Sequence, residues 1–234
     1  ENYLKSGLPL FDDPEVVAVA VHAKTKWQPH SFPRWSMFFM AYRVRLYRVL
    51  QALLRYGQTW KYTNVTNIVP GFASMYRTSA LREIKIDAPW LIIEDFNMNF
   101  EVHHKKLGRV GYNPRASGTS LDPLNLRDYL RQVKRWDLGF WQTVRRHGVW
   151  PSFFWLSLAP FLLEMFFYGL FFLAVPGLLL WFSLHSFAPL SLPFSQLTFW
   201  DIAVGVFLVD YLLTAVVAMV EKKPILLLYG LVFF

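Results

Sequence analysis

At residues 132–136 the chain reads Gln132-Val133-Lys134-Arg135-Trp136, inside a segment whose pattern predicts a helix from about residue 126 to 146. On such a helix Gln132, Arg135, Trp136 and Gly139 stand at i, i+3, i+4 and i+7, so they share one face. Arginine pairs with phosphate oxygens in fork geometry, an indole ring can stack on a sugar, and glycine allows close approach of another chain. A surface helix with a buried tryptophan would show the same pattern. The motif alone therefore does not indicate a binding site, and a second functional group is needed to support one.

The second group is the acidic pair Glu94-Asp95. The apolar run Leu91–Ile93 before it predicts a short buried strand, and the residues after it predict a helix from Asn97 to Leu107, closed by Gly108 at C′. An acid at the C-terminal end of a strand points into the crevice where open α/β sheets bind ligands. Asp is also favoured at a helix N-cap, and the two roles can hold together.

These motifs, in this order, resemble the second half of a membrane-embedded family 2 glycosyltransferase, the group that includes the cellulose, chitin and hyaluronan synthases. Between the acidic pair and the Gln132–Trp136 motif lies Gly108-Arg109-Val110-Gly111-Tyr112-Asn113-Pro114-Arg115-Ala116, and the order and spacing fit from about residue 10 onwards. Cellulose synthases commonly have Thr where this chain has Ile93, which points away from the cellulose branch. The resemblance implies an α/β fold: the C-terminal half of a GT-A domain, followed by α-helical transmembrane segments.

The resemblance also implies roles for single residues. Asp95 corresponds to the general base, and Glu94 is expected to orient or tune it. Gln132, Arg135 and Trp136 correspond to the site that binds acceptor and donor.

Two further candidates come from the segment Gly71–Arg77, which lies where the family has a Gly-containing segment ending in Arg near the acceptor. Gly71 and Arg77 are therefore substrate-binding candidates, with a structural ion pair as an equal alternative for Arg77. The resemblance implies a divalent metal, Mg²⁺ or Mn²⁺, bound mainly by an Asp-x-Asp segment upstream of this chain, whose own sequence is assigned no metal site. Adjacent acids at Asp12-Asp13 predict a turn before Pro14, and adjacent His103-His104 would diverge on a helix.

Composition favours a membrane protein. The chain has 234 residues, of which 54% are hydrophobic and 18% aromatic, with only 17% charged. The net charge of +8 fits a cytoplasmic face near anionic lipid better than nucleic-acid binding, so no nucleic-acid partner is expected. The absence of Cys excludes disulfides, thiolate metal ligands and a Cys nucleophile. The chain begins at Glu1 and ends within an apolar run, so it is expected to be a piece of a longer protein.

Two domains are expected. Residues 1–149 would form the C-terminal part of a cytoplasmic GT-A catalytic domain. Residues 150–234 would form an interfacial helix at 150–159 and two to three transmembrane helices, at about 160–181, at 198–220 and, truncated, from Pro224. Basic residues lie before the first span and at Lys222-Lys223, with none in the loop between the spans. A multi-pass membrane protein with its catalytic domain in the cytosol is therefore predicted.

The remaining segments of the first domain predict a strand at Val16–Val21, a loop from Lys24 to Arg34 and a helix from Ser36 to Tyr56. A basic stripe on that helix, Arg45, Arg48 and Arg55, suits either a membrane surface or a solvated face. A helix is also predicted near 79–83, and residues 113–123 predict a turn-rich loop.

The predicted function is inverting transfer of a sugar from a nucleotide-diphosphate donor to the hydroxyl of a lipid or polysaccharide acceptor. The expected partners are the nucleotide sugar, a lipid or glycan acceptor, and membrane lipids. Both a processive synthase and a transferase that acts once on a lipid remain open. The alternative from another class is a membrane-anchored binding or scaffold subunit with a degenerate glycosyltransferase site.

Overall fold

The central element of the fold is a strand at Val16–Thr25 that pairs on both of its edges. The computed structural model describes residues 2–27, 34–49, 51, 58–184 and 199–233. In chain order the helices and strands are α1 (Asn2–Gly7), a 3₁₀ helix (Leu8–Asp12), β1 (Val16–Thr25), α2 (Arg34–Val49), β2 (Met75–Tyr76), α3 (Thr78–Glu83), α4 (Glu94–His104), β3 (Arg109–Ser120), α5 (Leu126–His147), α6 (Phe153–Leu184), α7 (Phe199–Glu221) and α8 (Ile225–Gly230).

Strand β1 is buried along most of its length, as a continuous apolar run predicts for a central strand. In the described part of the chain it pairs antiparallel with β2 and parallel with β3, which gives the order β2-β1-β3. Val17 packs against Ala80, Val102 and Ile84, whereas Ala18 and Ala20 pack with Val69 and Val110. Because alternate side chains point to opposite faces, both faces of β1 are covered. The predicted strand at Val16–Val21 is confirmed.

The predicted loop at 113–123 is wrong over most of its length, because β3 continues to Ser120. Its pairing with β1 moves from Ala20–Tyr112 to His22–Ser117, so extra residues of β3 bulge between these two pairs. The bulge holds Pro114, which cannot donate to a ladder, and Asn113, whose Oδ1 accepts from the backbone of Arg115 at 2.9 Å. Asn113 and Pro114 interrupt the regular pairing of β3, but they form a bulge and do not end the strand.

The segment before the acidic pair is also different from its prediction. Residues 91–93 form no strand, and Ile92 is 44% exposed, with its N–H donating to Oε1 of Gln142 at 3.0 Å. Helix α4 begins at Glu94 and ends at His104, three residues earlier at each end than predicted. Gly108 is not at C′: Lys106 takes the left-handed conformation there, at φ 54°. Gly108, at φ +154°, instead lies where a Cβ would come within 2.5 Å of the Glu15 carbonyl oxygen.

Three predicted helices of the first domain are present. Helix α5 spans Leu126–His147, and the short helix near 79–83 is α3. The helix predicted at Ser36–Tyr56 is α2 over Arg34–Val49, and its remainder, including Arg55, falls largely outside the described residues.

A cluster of aromatic rings joins the C-terminal half of α4 to the start of α6. Phe100, fully buried, has ring-centroid distances of 5.0 Å to Phe154 and 6.0 Å to Trp155. His103 stacks on Phe154 at 4.5 Å, and its Nε2–H donates to the backbone carbonyl of Thr66 at 3.0 Å. Burial lowers the pKa of His103 to about 4, against the opposing effect of that hydrogen bond.

This histidine should make the fold sensitive to acid. Between about pH 6.5 and pH 4 the unfolded chain binds a proton at His103 while the folded chain does not, so stability falls as pH falls, by about 1.4 kcal/mol per pH unit. We expect His103→Gln, which keeps an N–H donor for the Thr66 carbonyl, to reduce the pH dependence of the unfolding temperature between pH 7 and pH 5. An unchanged dependence in the variant would contradict this assignment.

The chain divides into two compact units, residues 1–158 and 159–234, and the division falls within α6. The boundary lies after the predicted residue 149 because Phe154, Trp155 and Leu158 are buried in the first unit. The segments predicted as an interfacial helix at 150–159 and a transmembrane helix at about 160–181 fall largely within this one helix, Phe153–Leu184, which contains Pro160 and Pro176.

In the second unit, α7 contains the stretch Val204–Glu221, with a mean hydropathy of 2.0 over 18 residues. By length and composition this is the one helix among the described residues that could cross a bilayer. The short helix α8 packs on α7, with Gly230 against Thr214. The loop predicted between the two spans, at 185–197, lies outside the described residues.

Candidate active site

The carboxylate of Asp95 lies in the first turn of α4, held by two backbone donors. Its Oδ2 accepts from the N–H of Gly71 at 3.1 Å and its Oδ1 accepts from the N–H of Phe96 at 2.8 Å. An acid in the first helical turn also interacts favourably with the helix dipole. The Asp95 carboxylate therefore stabilises the N-terminus of α4, and the same carboxylate is held against the segment that contains Gly71.

Burial raises the pKa of Asp95 above the ordinary value for an aspartate. The hydrogen bonds from Gly71 and Phe96 act in the opposite direction, the charge of the exposed Glu94 raises the pKa, and the charge of Arg135 lowers it. Glu94 and Arg135 thus act on the protonation of Asp95 from two different helices. The resulting carboxylate is a stronger base than a solvent-exposed one.

Helix α5 carries the Gln132–Trp136 motif to this point. It begins at the N-cap Asn125, whose Oδ1 accepts from the N–H of Asp128 at 2.9 Å. Further along, Gly139 is buried against Ile93, the residue just before α4: a Cβ on Gly139 would lie 2.8 Å from the Cβ of Ile93. Gly139, on the predicted face of α5, therefore allows the residue that precedes α4 to pack closely against α5.

The structure thus brings together the acid pair and the arginine of the motif. The N-terminus of α4 lies against α5. Gly139 packs on Ile93, and Arg135 lowers the pKa of Asp95. Gln132 and Trp136 lie on the same face of α5, one to two turns before Gly139.

Gly71 and Arg77 differ in where their contacts go. Gly71 is exposed, and a Cβ there would be in ordinary contact with Asp95 and Glu94, at 3.6 Å, so the group it contributes is its N–H. The guanidinium of Arg77 donates to backbone carbonyls near the N-terminus, those of Phe11, Asp13 and Val16, at 2.7, 3.2 and 3.1 Å. These contacts are structural hydrogen bonds to backbone carbonyls, whereas the alternative predicted for Arg77 was an ion pair.

Tyr76, not singled out from the sequence, also faces this site. Its hydroxyl is buried and has no hydrogen-bond partner in the described part of the chain. Burial raises its pKa, and the charge of Asp95 raises it further, which means the two groups are close. No pattern in the sequence indicated this, because Tyr76 comes near Asp95 only when distant segments of the chain are folded together.

Arg43 was missed as well, although it is a fully buried cation on α2. It donates through Nη2 to Oε1 of Gln132, and its guanidinium lies over the ring of Trp136, 4.8 Å from the centroid. The signal in the sequence was its place beside the apolar residues Met40 and Val44, at i−3 and i+1, on the buried side of the helix.

No group of three potential metal ligands occurs among the residues that the structure describes. Both oxygens of Asp95 accept from backbone N–H groups, and two carboxylates of the N-terminal turn, Asp13 and Glu15, form ion pairs with Arg109. His103 and His104 are engaged with rings and with the Thr66 carbonyl. The described residues therefore offer no ligand set for a divalent metal.

Comparison with models of known protein families finds a match to this chain. The family model described as "Glycosyl transferase family group 2" matches residues 1–219 of the chain. No protein of curated function matches the chain.

Proposed function

Since the chain belongs to the family group 2 glycosyltransferases, we propose that it forms part of an inverting membrane enzyme that moves a sugar from a nucleotide diphosphate to an acceptor hydroxyl on a lipid or polysaccharide. The family makes the protein a nucleotide-sugar-dependent transferase. Inversion, the membrane setting and the class of acceptor are our proposals.

One observation carries the proposed site: Gly139 packs closely against Ile93, the residue before α4, so the helix that carries Arg135 lies against the helix start that carries Asp95. A transferase of this kind needs a base for the acceptor hydroxyl and a cation for the departing diphosphate. The N-terminus of α4 and the motif on α5 bring one of each into the same region.

Asp95 is proposed as the base. As the acceptor oxygen attacks the anomeric carbon, its proton passes to the Asp95 carboxylate, the bond to the donor's phosphate oxygen breaks, and the nucleoside diphosphate leaves with the bonding electrons. Attack opposite the leaving group inverts the anomeric centre. Burial strengthens Asp95 as a base, while the N–H groups of Gly71 and Phe96 keep its oxygens oriented.

The other motif residues are proposed to bind the reactants. Arg135, exposed on α5, would pair with the diphosphate and offset the charge that builds on it. Gln132 and Trp136 would hold a sugar in line, the amide through hydrogen bonds and the indole through its face. Glu94 is proposed to tune Asp95, and Gly71 to contribute its N–H.

The divalent metal expected from the family remains a proposal for a segment outside this chain. When bound, such an ion would supply positive charge to the diphosphate. The described residues contribute no ligand set for it.

The membrane setting rests on composition and on α7. Lys222-Lys223 follow α7 directly, and Lys134, Arg145 and Arg146 lie on α5 of the first unit. Under the positive-inside rule we propose that both groups lie on the cytosolic side of a protein with the two to three transmembrane helices predicted from the sequence, one of them formed by α7.

The test is a donor panel. The full-length protein would be purified in nanodiscs and supplied with UDP- and GDP-sugars in the presence of Mg²⁺ or Mn²⁺, and release of nucleoside diphosphate would be measured with wild type and with Arg135→Met. We expect turnover of one donor, with kcat/KM lower by about 10- to 1000-fold in the variant. As a matched control, Arg131→Met removes a cation four residues earlier, which is largely exposed beside Asp128, and should have little effect.

No turnover with any donor, together with retained binding of a glycan or lipid, would favour the scaffold with a degenerate site. Equal turnover in wild type and Arg135→Met would remove Arg135 from the mechanism.

A further inference from the structure

Arg43 is buried without an acidic hydrogen-bonding partner among the described residues. Its side chain is 0% exposed, only Nη2 has a hydrogen-bond acceptor, and Nε and Nη1 have none in the described part of the chain. Burying a guanidinium this incompletely satisfied is costly, since each unpaired buried donor opposes folding. An apolar side chain of similar volume would fill the same space at lower cost. The position of Arg43 therefore calls for a reason other than stability.

The contacts of Arg43 are concentrated on the functional face of α5. Its guanidinium carbon lies 4.9 Å from the ring centroid of Tyr129 and 4.8 Å from that of Trp136, and its Nη2 donates to Gln132. These partners stand at i, i+7 and i+3 on one helix face. Two of them are motif residues to which we assign sugar binding.

The hydrogen bond to Gln132 decides the orientation of an amide. Arginine has donors and no acceptor, so the amide atom facing it must be the oxygen. The NH₂ group of Gln132 is then turned away from α2. Gln132 would meet a ligand as a hydrogen-bond donor.

The stacking on Trp136 has a similar consequence. The guanidinium covers one face of the indole ring, and the residue is only half-buried. A cation over an aromatic face also restrains the ring in one orientation. The face turned away from Arg43 is the one left for a sugar.

A second chain of contacts holds Arg43 itself in place. The ring of Tyr47 lies 5.9 Å from the guanidinium carbon, and its hydroxyl donates to Oδ1 of Asp122 at 2.8 Å. The charge of Arg43 acts to lower the pKa of both Tyr47 and Asp122, against the effect of burial, which raises the pKa of each. Tyr47 thus contacts both the Arg43 guanidinium and the Asp122 carboxyl group.

We propose that Arg43 is a positioning residue for glycosyl transfer: it sets Gln132 as a hydrogen-bond donor and presents one face of Trp136 to the sugar. The inference rests on the proposed function and assigns how its binding motif is oriented. Arg43 itself touches no reacting atom.

The experiment combines substitutions of Arg43 and Gln132 in the full-length protein, with the donor that the panel identifies. Arg43→Met should raise KM for the sugar donor or acceptor and lower kcat/KM by about 10- to 100-fold, because a small misplacement of binding groups is costly in transfer reactions. Arg43→Lys, which keeps the charge and a donor but loses the flat face, should fall between Arg43→Met and wild type. Arg45→Met, on the same helix but pointing about 200° away, is the matched control and should retain the wild-type KM.

The decisive readout is non-additivity. In a Gln132→Ala background Arg43→Met should cost less than about 3-fold, since part of what Arg43 positions is already gone. Three outcomes would overturn the inference. The fold-losses in kcat/KM of the two single variants could multiply in the double variant, or Arg43→Met could have the wild-type KM. The activity of Arg43→Met could also fall only in proportion to its folded fraction.

The proposed function is decided separately by the wild-type protein. If wild type turns over a donor and Arg43→Met matches it, only the role of Arg43 fails. If wild type turns over none, the proposed function fails and the role of Arg43 in it fails with it.

Discussion

Asp95→Asn is expected to lower kcat by about 10²- to 10⁴-fold while leaving donor binding nearly intact. Asparagine keeps the size of the side chain and one oxygen that can accept from Gly71 or Phe96, but it cannot take a proton from the acceptor hydroxyl. Single-turnover measurement with saturating donor and acceptor would separate the chemical step from binding. Glu94→Gln, which removes a charge that raises the pKa of Asp95, should have a much smaller effect.

The direction of the pKa shift supplies a control on folding. Because burial raises the pKa of Asp95, the ionised form disfavours the folded state at neutral pH relative to an exposed aspartate. That contribution would be absent below the ordinary aspartate pKa and grows as pH rises through the raised value. Removing the charge should therefore offset the loss of one hydrogen bond from Gly71 or Phe96, so that the unfolding temperature at pH 7 changes little. Lost activity with a clearly lower unfolding temperature would indicate a structural role and contradict the assignment of Asp95 as base.

Gly139→Ala is expected to lower both activity and stability, although alanine is the better helix former. The new Cβ would lie 2.8 Å from Cβ and 2.9 Å from Cγ1 of Ile93, so α5 must shift away from the start of α4. Overpacking of this kind costs about 1–3 kcal/mol, more than the roughly 0.5–1 kcal/mol gained by replacing a helical glycine. The shift would also separate Arg135 from Asp95, and misplacement by about 1 Å can cost 10²-fold in rate.

Two variants make that prediction specific. Gly169→Ala, within α6, places its Cβ where no other atom lies within 4 Å and should change neither stability nor turnover appreciably. Ile93→Ala in the Gly139→Ala background removes two of the three opposing atoms and should restore part of the activity. Wild-type turnover in Gly139→Ala would show that the contact between α5 and Ile93 does not position the site.

The strongest sequence patterns predicted the elements that hold the site. The apolar run of β1 and the i, i+3, i+4, i+7 face of α5 are local signals, and the structure contains both elements. Helix α5 has nearly the predicted bounds, whereas β1 continues past the predicted Val21 to Thr25, into the start of the predicted loop. The apolar run Leu91–Ile93 failed as a strand because three residues are too few to distinguish a strand from an extended approach to a helix. Its Ile92 N–H finds a side-chain acceptor on α5 instead of a neighbouring strand.

The parts that sequence patterns did not reveal depend on contacts between distant segments. Arg43 was passed over because Arg45 and Arg48 form the more conspicuous basic stripe of the same helix, while its own partner Gln132 lies far along the chain. Tyr76 is part of the site because it lies close to Asp95, and the two residues come together only in the folded chain. A bulge in β3 likewise needs a partner strand to be recognised as one.

Helix α4 carries the proposed base at one end and packs at its other end against the aromatic residues at the start of α6. Asp95 lies in its first turn, and His103, which stacks on Phe154, lies in its last. At about 1.5 Å per residue these two points are separated by roughly 12 Å along a rigid rod. The helix is therefore a rigid spacer, which fixes the distance between the Asp95 carboxylate and the first turn of α6.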